Sequence, residues 1–305
     1  MGEPGHAIAF ADVVGDLIRL ETDAAVIEGR DGLTTVRLDH VAFAREAPPS
    51  TADVIALEQI CARGWRAAEV EEYDGWLLRA DHGFTARANS VLPLRSTRDL
   101  DAHLASARAF YRRRGLPLRV QAPLPARRLL EAELGERGWP EDPDVHVMVG
   151  RIDLLSAAAL ERSAAVDVAI STEPPESWWQ DFDFRGADDS VVRALVTRHE
   201  RAGFATVTAG GRLRGRARMV VDDGWLGLST VWVAPEARGR GLARTMMLAA
   251  LRWGRDRHAA RRAYLQAPST NSGAVALYEA MGFWTHHDYR YRREPGRSAG
   301  PTMTS

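Results

Sequence analysis

The segment that constrains this chain most runs from residue 226 to residue 243 and reads LGLSTVWVAPEARGRGLA. Its first part, Leu226 to Val233, is rich in β-branched and aromatic residues, which favour a β-strand. The glycine loop opens a helix whose predicted buried face carries Leu242, Met246, Ala249 and Trp253. A helix start presents unpaired amides at the positive end of the helix dipole, and Gly239 and Gly241 let a ligand approach them. The segment therefore predicts a strand, a phosphate-binding loop and a helix.

A second strand and a second helix follow this segment. Residues 261–267 predict a strand, and the turn at 268–271 leads into an amphipathic helix. One face of that helix carries Ala274, Leu277, Tyr278 and Met281. Gly282 suits the left-handed residue that ends a helix, and Phe283 resumes an extended segment.

This order, with the RGRGLA loop and the motif N-x-x-A-x-x-L-Y-E-x-x-G-F at 271–283, resembles the core of the GNAT acetyltransferases, which use acetyl-CoA. The resemblance implies an α/β (α+β) GNAT fold with a mixed sheet. It places the CoA pyrophosphate on the backbone amides of Arg238, Gly239, Arg240, Gly241, Leu242, Ala243 and Arg244. The strand edge at Val231, Trp232 and Val233 would pair with pantetheine amides. Asn271 would contact the cofactor near the pantetheine arm.

The resemblance also implies that Tyr278 is catalytic and protonates the departing CoA thiolate. A phenol of pKa about 10 donates to a thiolate whose conjugate acid has a pKa of about 8.5 only when the two are tightly hydrogen-bonded. Because this transfer is uphill, an alternative is that Tyr278 mainly stabilises charge. Without the motif, a Tyr on an apolar helix face would be interpreted as a core residue.

The sequence does not identify the group that removes the proton of the acceptor amine. An alkyl amine of pKa about 10.4 is almost fully protonated near pH 7, so a base or a water path is needed. Many GNAT proteins place a Glu on the strand before the loop, where this chain has Gly227. The other candidates, each with a surface role as its alternative, are Asp222, Asp223, Glu200, His286 and His287. His286 and His287 are adjacent in a predicted strand and should point to opposite faces, so no metal site is predicted.

Aromatic residues are concentrated at 178–184. Trp178, Trp179, Phe182 and Phe184 are interleaved with Asp181 and Asp183. They form either one wall of an amine-binding site, or a packed hairpin or plug between domains. The sequence leaves both interpretations open.

Composition excludes several classes of enzyme. All 40 residues counted as Lys or Arg are Arg, because the chain contains no Lys. Walker A proteins, protein kinases and pyridoxal enzymes need a Lys and are excluded. The single Cys, Cys61, shares a helical face with Val54 and Leu57 and is predicted to be a buried apolar residue. This prediction favours direct acetyl transfer over an acetyl-Cys intermediate.

Charge and hydropathy limit the expected partners and location. The net charge of −1 argues against a nucleic-acid partner. Neither a signal-peptide pattern nor an apolar run of the ~20 residues that span a bilayer is present, so a cytoplasmic protein without a membrane partner is expected. A homo-oligomer stays open.

An internal comparison indicates two GNAT-like units. LRVQAP at 118–123 matches AYLQAP at 263–268, and the residues after each block follow the same order. In the first unit, Leu130 stands in the place of Tyr278, residues 95–98 replace the glycine loop, and Asp99 puts a negative charge where pyrophosphate would bind. The first unit is therefore expected not to bind CoA.

The predicted organisation has four parts. Residues 1–48, with short strands near 15–21, 24–28 and 33–38, suggest a small β-barrel or a hairpin sheet. The remaining parts are a degenerate GNAT-like domain at 49–155, a catalytic domain at 162–294 and a disordered tail at 295–305.

The expected function is acetyl-CoA-dependent transfer of an acetyl group to a primary amine, on a small molecule rather than on a protein. No metal is expected to take part. Alternatives are a CoA-binding sensor without turnover, a chromatin-associated or protein-associated module, and an enzyme for longer acyl chains.

Overall fold

A computed structural model describes residues 11–29, 31–42, 48–152 and 167–296. The chain divides into two compact units, Met1–Pro48 and Pro49–Ser305. In the first unit, strands β1 (Asp16–Leu20), β2 (Ala24–Gly29) and β3 (Gly32–Arg37) form an antiparallel sheet in the order β1-β2-β3. The predicted strands are thus found, but the barrel is not confirmed, since three antiparallel strands form a simple sheet. Of the predicted disordered tail at 295–305, the structure describes residues 295 and 296, which form a turn, and the rest lies outside the described residues.

The second unit is built on one sheet of eleven strands among the residues that are described. Its first elements are α1 (Thr51–Gly64), β4 (Glu69–Tyr73), β5 (Trp76–Ala80), β6 (Val91–Pro93), α2 (Leu100–Arg113), β7 (Arg119–Leu124), α3 (Arg128–Glu136) and β8 (Val145–Arg151). The later elements are β9 (Ala169–Ser171), α4 (Asp189–Thr197), β10 (Ala202–Ala209), β11 (Arg212–Asp222), β12 (Trp225–Val233), α5 (Leu242–His258), β13 (Arg262–Pro268), α6 (Ser272–Glu279) and β14 (Trp284–Arg293). The predicted mixed α/β fold is confirmed.

The same arrangement occurs twice in this unit. Strands β6 and β7 are parallel and joined through α2, and strands β12 and β13 are parallel and joined through α5. The last parallel pairs are Val91 with Val120 in the first half and Leu228 with Leu265 in the second half. Among the described residues, neither pair of strands has a ladder beyond that point, and the space between the unpaired strand ends is called its cleft.

The two halves share their last strands. The sheet order is β4-β5-β6-β7-β14-β8-β13-β12-β11-β10-β9. Strand β14 from the second half therefore pairs with β7, and strand β8 from the first half pairs with β13. Neither half completes a sheet by itself, and the boundaries at 49–155 and 162–294 stay a prediction.

Helices pack on both faces of the sheet beside the second cleft. Side chains alternate along β13, so Ala263 and Leu265 pack in an apolar cluster with α5 and α6. Tyr264 points to the other face, where it packs with Leu57 and Cys61 of α1. The cleft between β12 and β13 thus lies between α5 and α6 on one face and α1 on the other.

Candidate active site

The loop before α5 ends at a helix start that, among the described residues, has no side-chain cap. Gly239 and Gly241 have φ of 72° and 76°, left-handed values that disfavour any residue with a Cβ. Gly241 is the N-cap residue, and it makes no side-chain hydrogen bond. The amides of Leu242, Ala243 and Arg244 have no acceptor within the helix. This geometry suits an anion that binds the amides and the positive end of the dipole.

The matching helix start in the first half is already capped. Asp99 is the N-cap of α2, and its carboxylate accepts a hydrogen bond of 2.9 Å from the backbone N–H of Ala102. The carboxylate therefore occupies the position that an anion would take at this helix. The two halves differ at the point where a pyrophosphate would bind.

The cleft of the second half exposes a strand edge. Strand β12 pairs with β13 only from Trp225 to Leu228, and the half-buried residues Val231, Trp232 and Val233 lie beyond this ladder. On its other side, β12 carries a bulge relative to β11, and Thr230 within it has a φ of 49°. A strand edge of this kind can accept an extended chain of amide groups as an added strand.

The cleft of the first half is closed by Arg127, which the sequence did not indicate. Its Nε donates to the carbonyl of Pro93 at 2.9 Å, its Nη1 donates to the carbonyl of Ala126 at 2.8 Å, and its Nη2 donates to the carbonyl of Leu94. Arg127 is 5% exposed, and burial lowers the pKa of its guanidinium. The carbonyl groups of Pro93 and Leu94 at the end of β6 are therefore already hydrogen-bonded within the protein.

Tyr278 lies on α6 and is 9% exposed. Its ring packs 6.4 Å from that of Phe283 and belongs to the apolar cluster shared with α5. Burial raises the pKa of the Tyr278 hydroxyl above its ordinary value of 10.0. A higher phenol pKa makes full proton transfer to a thiolate more uphill, which favours the role of stabilising charge through a hydrogen bond.

Asn271 has a structural function in addition to its predicted cofactor contact. It is the N-cap of α6, and its Oδ1 accepts a hydrogen bond of 3.3 Å from the backbone N–H of Ala274. The side chain is exposed, so its NH₂ group is the part that could contact a ligand.

Tyr264 occupies the space next to Gly227, the position where many GNAT proteins carry a Glu. A Cβ placed on Gly227 would lie 2.5 Å from Cζ of Tyr264, closer than real side-chain atoms approach. The same ring also packs against Gly64 of α1. A glutamate therefore cannot occupy position 227 while Tyr264 keeps this position.

Three of the predicted base candidates lie at the wrong end of the sheet. Asp222 ends β11 and is paired with Arg63, and Asp223 is exposed in the following turn. Glu200 is exposed in the turn before β10, whose first pair is with Val220 near the end of β11. The cleft opens at the other end of β12, about 20 Å away along the strand. These three carboxylates do not reach it.

The prediction that His286 and His287 point to opposite faces is wrong. The pairing of β14 with β8 is irregular between Thr285 and His287, and the two Nδ1 atoms lie 2.8 Å apart. His287 is buried, and its Nε2 lies 3.0 Å from Oε1 of Glu58. In the described ranges, no group of three or more His, Cys, Asp or Glu residues could hold a metal ion.

The aromatic residues at 178–184 form a packed plug and not an open wall. Trp178 and Trp179 are buried, in a cluster that also contains Trp65 and Phe84 from the first half. Arg216 lies among the rings and donates to the carbonyl of Gln180 at 2.6 Å. The plug interpretation is the one that the packing supports.

Cys61 is buried, as its apolar neighbours on α1 predict. Burial raises the pKa of its thiol well above the ordinary value of 9.0, so the thiolate that a nucleophile requires is disfavoured. In the part of the chain that the structure describes, no helix combines the length and apolar character needed to cross a membrane.

The order of β12, the glycine loop, α5, β13 and α6 agrees with the GNAT type of acetyltransferase that the sequence resembles. The family model described as "Probable histone acetyltransferase Rv0428c C-terminal" matches residues 51–292, and the chain belongs to this family. The relative named "Probable histone acetyltransferase Rv0428c", from Mycobacterium tuberculosis, is 30% identical over 314 residues, which cover 97% of this chain and 92% of the relative.

Two solved structures show the same fold. A GCN5-related N-acetyltransferase from Kribbella flavida has a TM-score of 0.59 at 14% identity, covering 80% of this chain and 96% of that one. A tandem GNAT protein from the clavulanic acid biosynthesis pathway has a TM-score of 0.55 at 15% identity, covering 85% of this chain and 92% of that one. Fold likeness at this identity does not identify a substrate.

Proposed function

We propose that this protein transfers the acetyl group of acetyl-CoA to a primary amine, and that the second half alone binds the cosubstrate. The observation that carries the proposal is the difference between two otherwise matching clefts. The first cleft is closed by Arg127, and its helix start is capped by Asp99. Within the described ranges, the second cleft has a strand edge without a ladder partner and a helix start without a side-chain cap.

Acetyl-CoA would bind along the second cleft through backbone groups. The pyrophosphate would accept hydrogen bonds from the amides between Arg238 and Arg244, at the positive end of α5. The pantetheine amides would pair with the edge formed by Val231, Trp232 and Val233, as an added strand does. The exposed NH₂ of Asn271 would contact the cofactor beside the arm.

The reaction would proceed by direct attack of the neutral amine on the thioester carbonyl. The C–S bond breaks, and the electron pair leaves on the CoA sulfur. Tyr278 would donate a hydrogen bond to this sulfur as negative charge develops. Cys61 is buried, with a raised thiol pKa, and would form no covalent intermediate.

A small-molecule amine is the acceptor that we favour, and a protein amine is the second candidate. The name of the relative from Mycobacterium tuberculosis refers to histones, which is the observation that favours the second candidate. The remaining alternative is a CoA-binding sensor without turnover. Release of thiol from acetyl-CoA with any amine would distinguish both enzyme candidates from such a sensor.

The test is a thiol-release screen of acetyl-CoA against amino acids, aminosugars, polyamines, simple amines and Lys-containing peptides. Two variants of one residue form a matched pair, Gly241→Asp and Gly241→Ala. Both strain the left-handed backbone, but only Asp adds a negative charge at the helix start. We expect thiol release by the wild type, reduced release by the Ala variant and none by the Asp variant. Equal activity of both variants would overturn the assignment of the phosphate site.

A further inference from the structure

A small cavity lies between α1 and β13 on the face of the sheet opposite α5. Glu58 and Cys61 of α1 line it together with Trp65, the C-cap residue of that helix, at the three-to-four-residue spacing that places side chains on one helix face. Gln266 of β13 lines it from the sheet. Its volume of about 10 Å³ is close to the space that one water molecule needs.

This cavity adjoins the cleft that would bind acetyl-CoA. Gln266 is the first residue of β13 beyond the last pair with β12, Leu228 with Leu265. Gln266 pairs with Val147 of β8, and Val147 pairs with His287 of β14. Residues that pair directly across strands share a face, so Gln266 and His287 lie in one row below α1.

Glu58 is a carboxyl group in the interior, and it is 1% exposed. Its Oε1 lies 3.0 Å from Nε2 of His287, and its Oε2 accepts a hydrogen bond of 2.8 Å from Nε2 of Gln121. Arg79 donates to Oε1 of the same Gln121 at 2.7 Å. Burying a carboxylate costs free energy unless hydrogen-bond partners replace the lost water. The partners of Glu58 leave one side of its carboxyl group facing the cavity.

The other charged and titratable groups around Glu58 come from several elements. Arg87 lines the same cavity and hydrogen-bonds to Tyr289 of β14. Arg79 of β5 and Cys61 of α1 also line it.

A hydrogen-bonded route leads from Glu58 toward the surface. His287 contacts Glu58 through Nε2 and His286 through Nδ1, at 3.0 and 2.8 Å. His286 is only half-buried, whereas His287 is buried. The irregularity in β14 that brings the two rings together therefore also connects the buried carboxylate with the surface.

We propose that Glu58 accepts the proton of the acceptor amine through one water in this cavity, and that His287 and His286 carry the proton outward. The proposal rests on the proposed function. The ammonium group of the acceptor loses one proton to Glu58 and becomes the neutral nucleophile. Its nitrogen bonds to the acetyl carbon, the C–S bond breaks, and the remaining extra proton goes to the CoA sulfur. Protonated Glu58 then donates to Nε2 of His287 in the tautomer that carries its proton on Nδ1, and that Nδ1 proton passes to Nδ1 of His286. His287 is left with its proton on Nε2 and returns to the first tautomer before the next turnover.

The role of Glu58 explains how this chain can function with Gly227 in the usual position of the base. Tyr264 fills the space beside Gly227, and it packs against Gly64 at the end of the helix that carries Glu58. The Glu58 carboxylate on α1 would therefore provide the base that β12 lacks at position 227.

The experiment compares Glu58→Gln with Glu72→Gln, the same substitution at an exposed position of β4 outside the cavity. The kcat/KM of each is measured from pH 6 to pH 10 with an active amine, and folding is checked by circular dichroism. We expect Glu58→Gln to lower kcat/KM roughly 100-fold near pH 7. The difference should narrow toward pH 10, where the amine loses its proton to solvent. Glu72→Gln should follow the wild type.

A purely structural role would lower activity by the same factor at every pH, and that result would overturn the proposal. If Glu58→Gln fails to fold, His287→Gln tests the same route, because it keeps polar contacts but cannot relay a proton. Wild-type activity in His287→Gln at pH 7 would also overturn the route. A wild type that releases no thiol with any amine overturns both proposals, whereas an active wild type matched by Glu58→Gln overturns only this one.

Discussion

The phenol of Tyr264 fills the space that a side chain at position 227 would need, since a Cβ on Gly227 would lie 2.5 Å from Cζ of Tyr264. We expect Gly227→Ala to lower the free energy of unfolding by about 1–3 kcal/mol, because the neighbouring ring and helix α1 must shift. Urea denaturation measures this change. The double variant with Tyr264→Leu should lose less stability than the sum of the two single changes. Additive losses would show that the two residues do not compete for space.

Arg127 is expected to be a structural residue that closes the first cleft. Arg127→Met should destabilise the fold by about 2–5 kcal/mol, since buried carbonyl groups at the end of β6 lose their donor. Arg128 is its exposed neighbour, so Arg128→Met is the matched control and should change stability little. Urea unfolding of both variants provides the comparison. Equal stability of the two variants would contradict the assigned role.

Tyr278 is expected to act on kcat and not on cosubstrate binding. Tyr278→Phe should lower kcat roughly 10- to 100-fold and leave the KM for acetyl-CoA nearly unchanged, because the hydrogen bond to sulfur forms as the bond breaks. Steady-state kinetics separates the two parameters. A Phe variant with full kcat would leave Tyr278 as a core residue only.

The pH profile provides a second test of Tyr278. Its pKa is raised above 10.0 by burial, so the hydroxyl stays protonated throughout pH 7–10 and remains a donor. If the kcat of the wild type decreases at any pH below 10, the same decrease should therefore also occur in Tyr278→Phe. Finding such a decrease would mean that the Tyr278 hydroxyl ionises within this range.

Cys61 is expected to be chemically inert in the native protein. Burial raises the pKa of its thiol, so iodoacetamide at pH 8 should alkylate the folded chain far more slowly than the urea-unfolded chain. Mass spectrometry of timed samples measures the two rates. Equal rates would indicate an accessible thiolate and reopen the possibility of an acetyl-Cys intermediate.

The sequence predicted local features well wherever one segment supplies the whole signal. The β12 strand, the two glycines with positive φ and helices α5 and α6 all follow from residues close together in the chain. The exchange of β8 and β14 could not be predicted, because side-chain alternation indicates a strand but does not choose its partner. The orientation of His286 and His287 was predicted wrongly for a similar reason. One irregularity in strand pairing is enough to break the alternation of side chains between the two faces of the sheet.

The missed site residues had weaker signals. Glu58 lies on the apolar face of α1 between Leu57 and Cys61. A charged residue at such a position needs a buried partner, and this was the one signal in the sequence that Glu58 has one. Its partner is 229 positions away, so no local pattern could identify it. Arg127 is one of many Arg residues in a chain without Lys, and only the packing around it separates it from surface positions.

We infer that only the second half of this chain binds acetyl-CoA. Isothermal titration calorimetry of the full chain with acetyl-CoA tests it directly, using wild type, Gly241→Ala and Gly241→Asp. We expect one molecule bound per chain, weaker binding by the Ala variant and no detectable binding by the Asp variant. Two molecules bound per chain, or one molecule still bound by Gly241→Asp, would contradict the account.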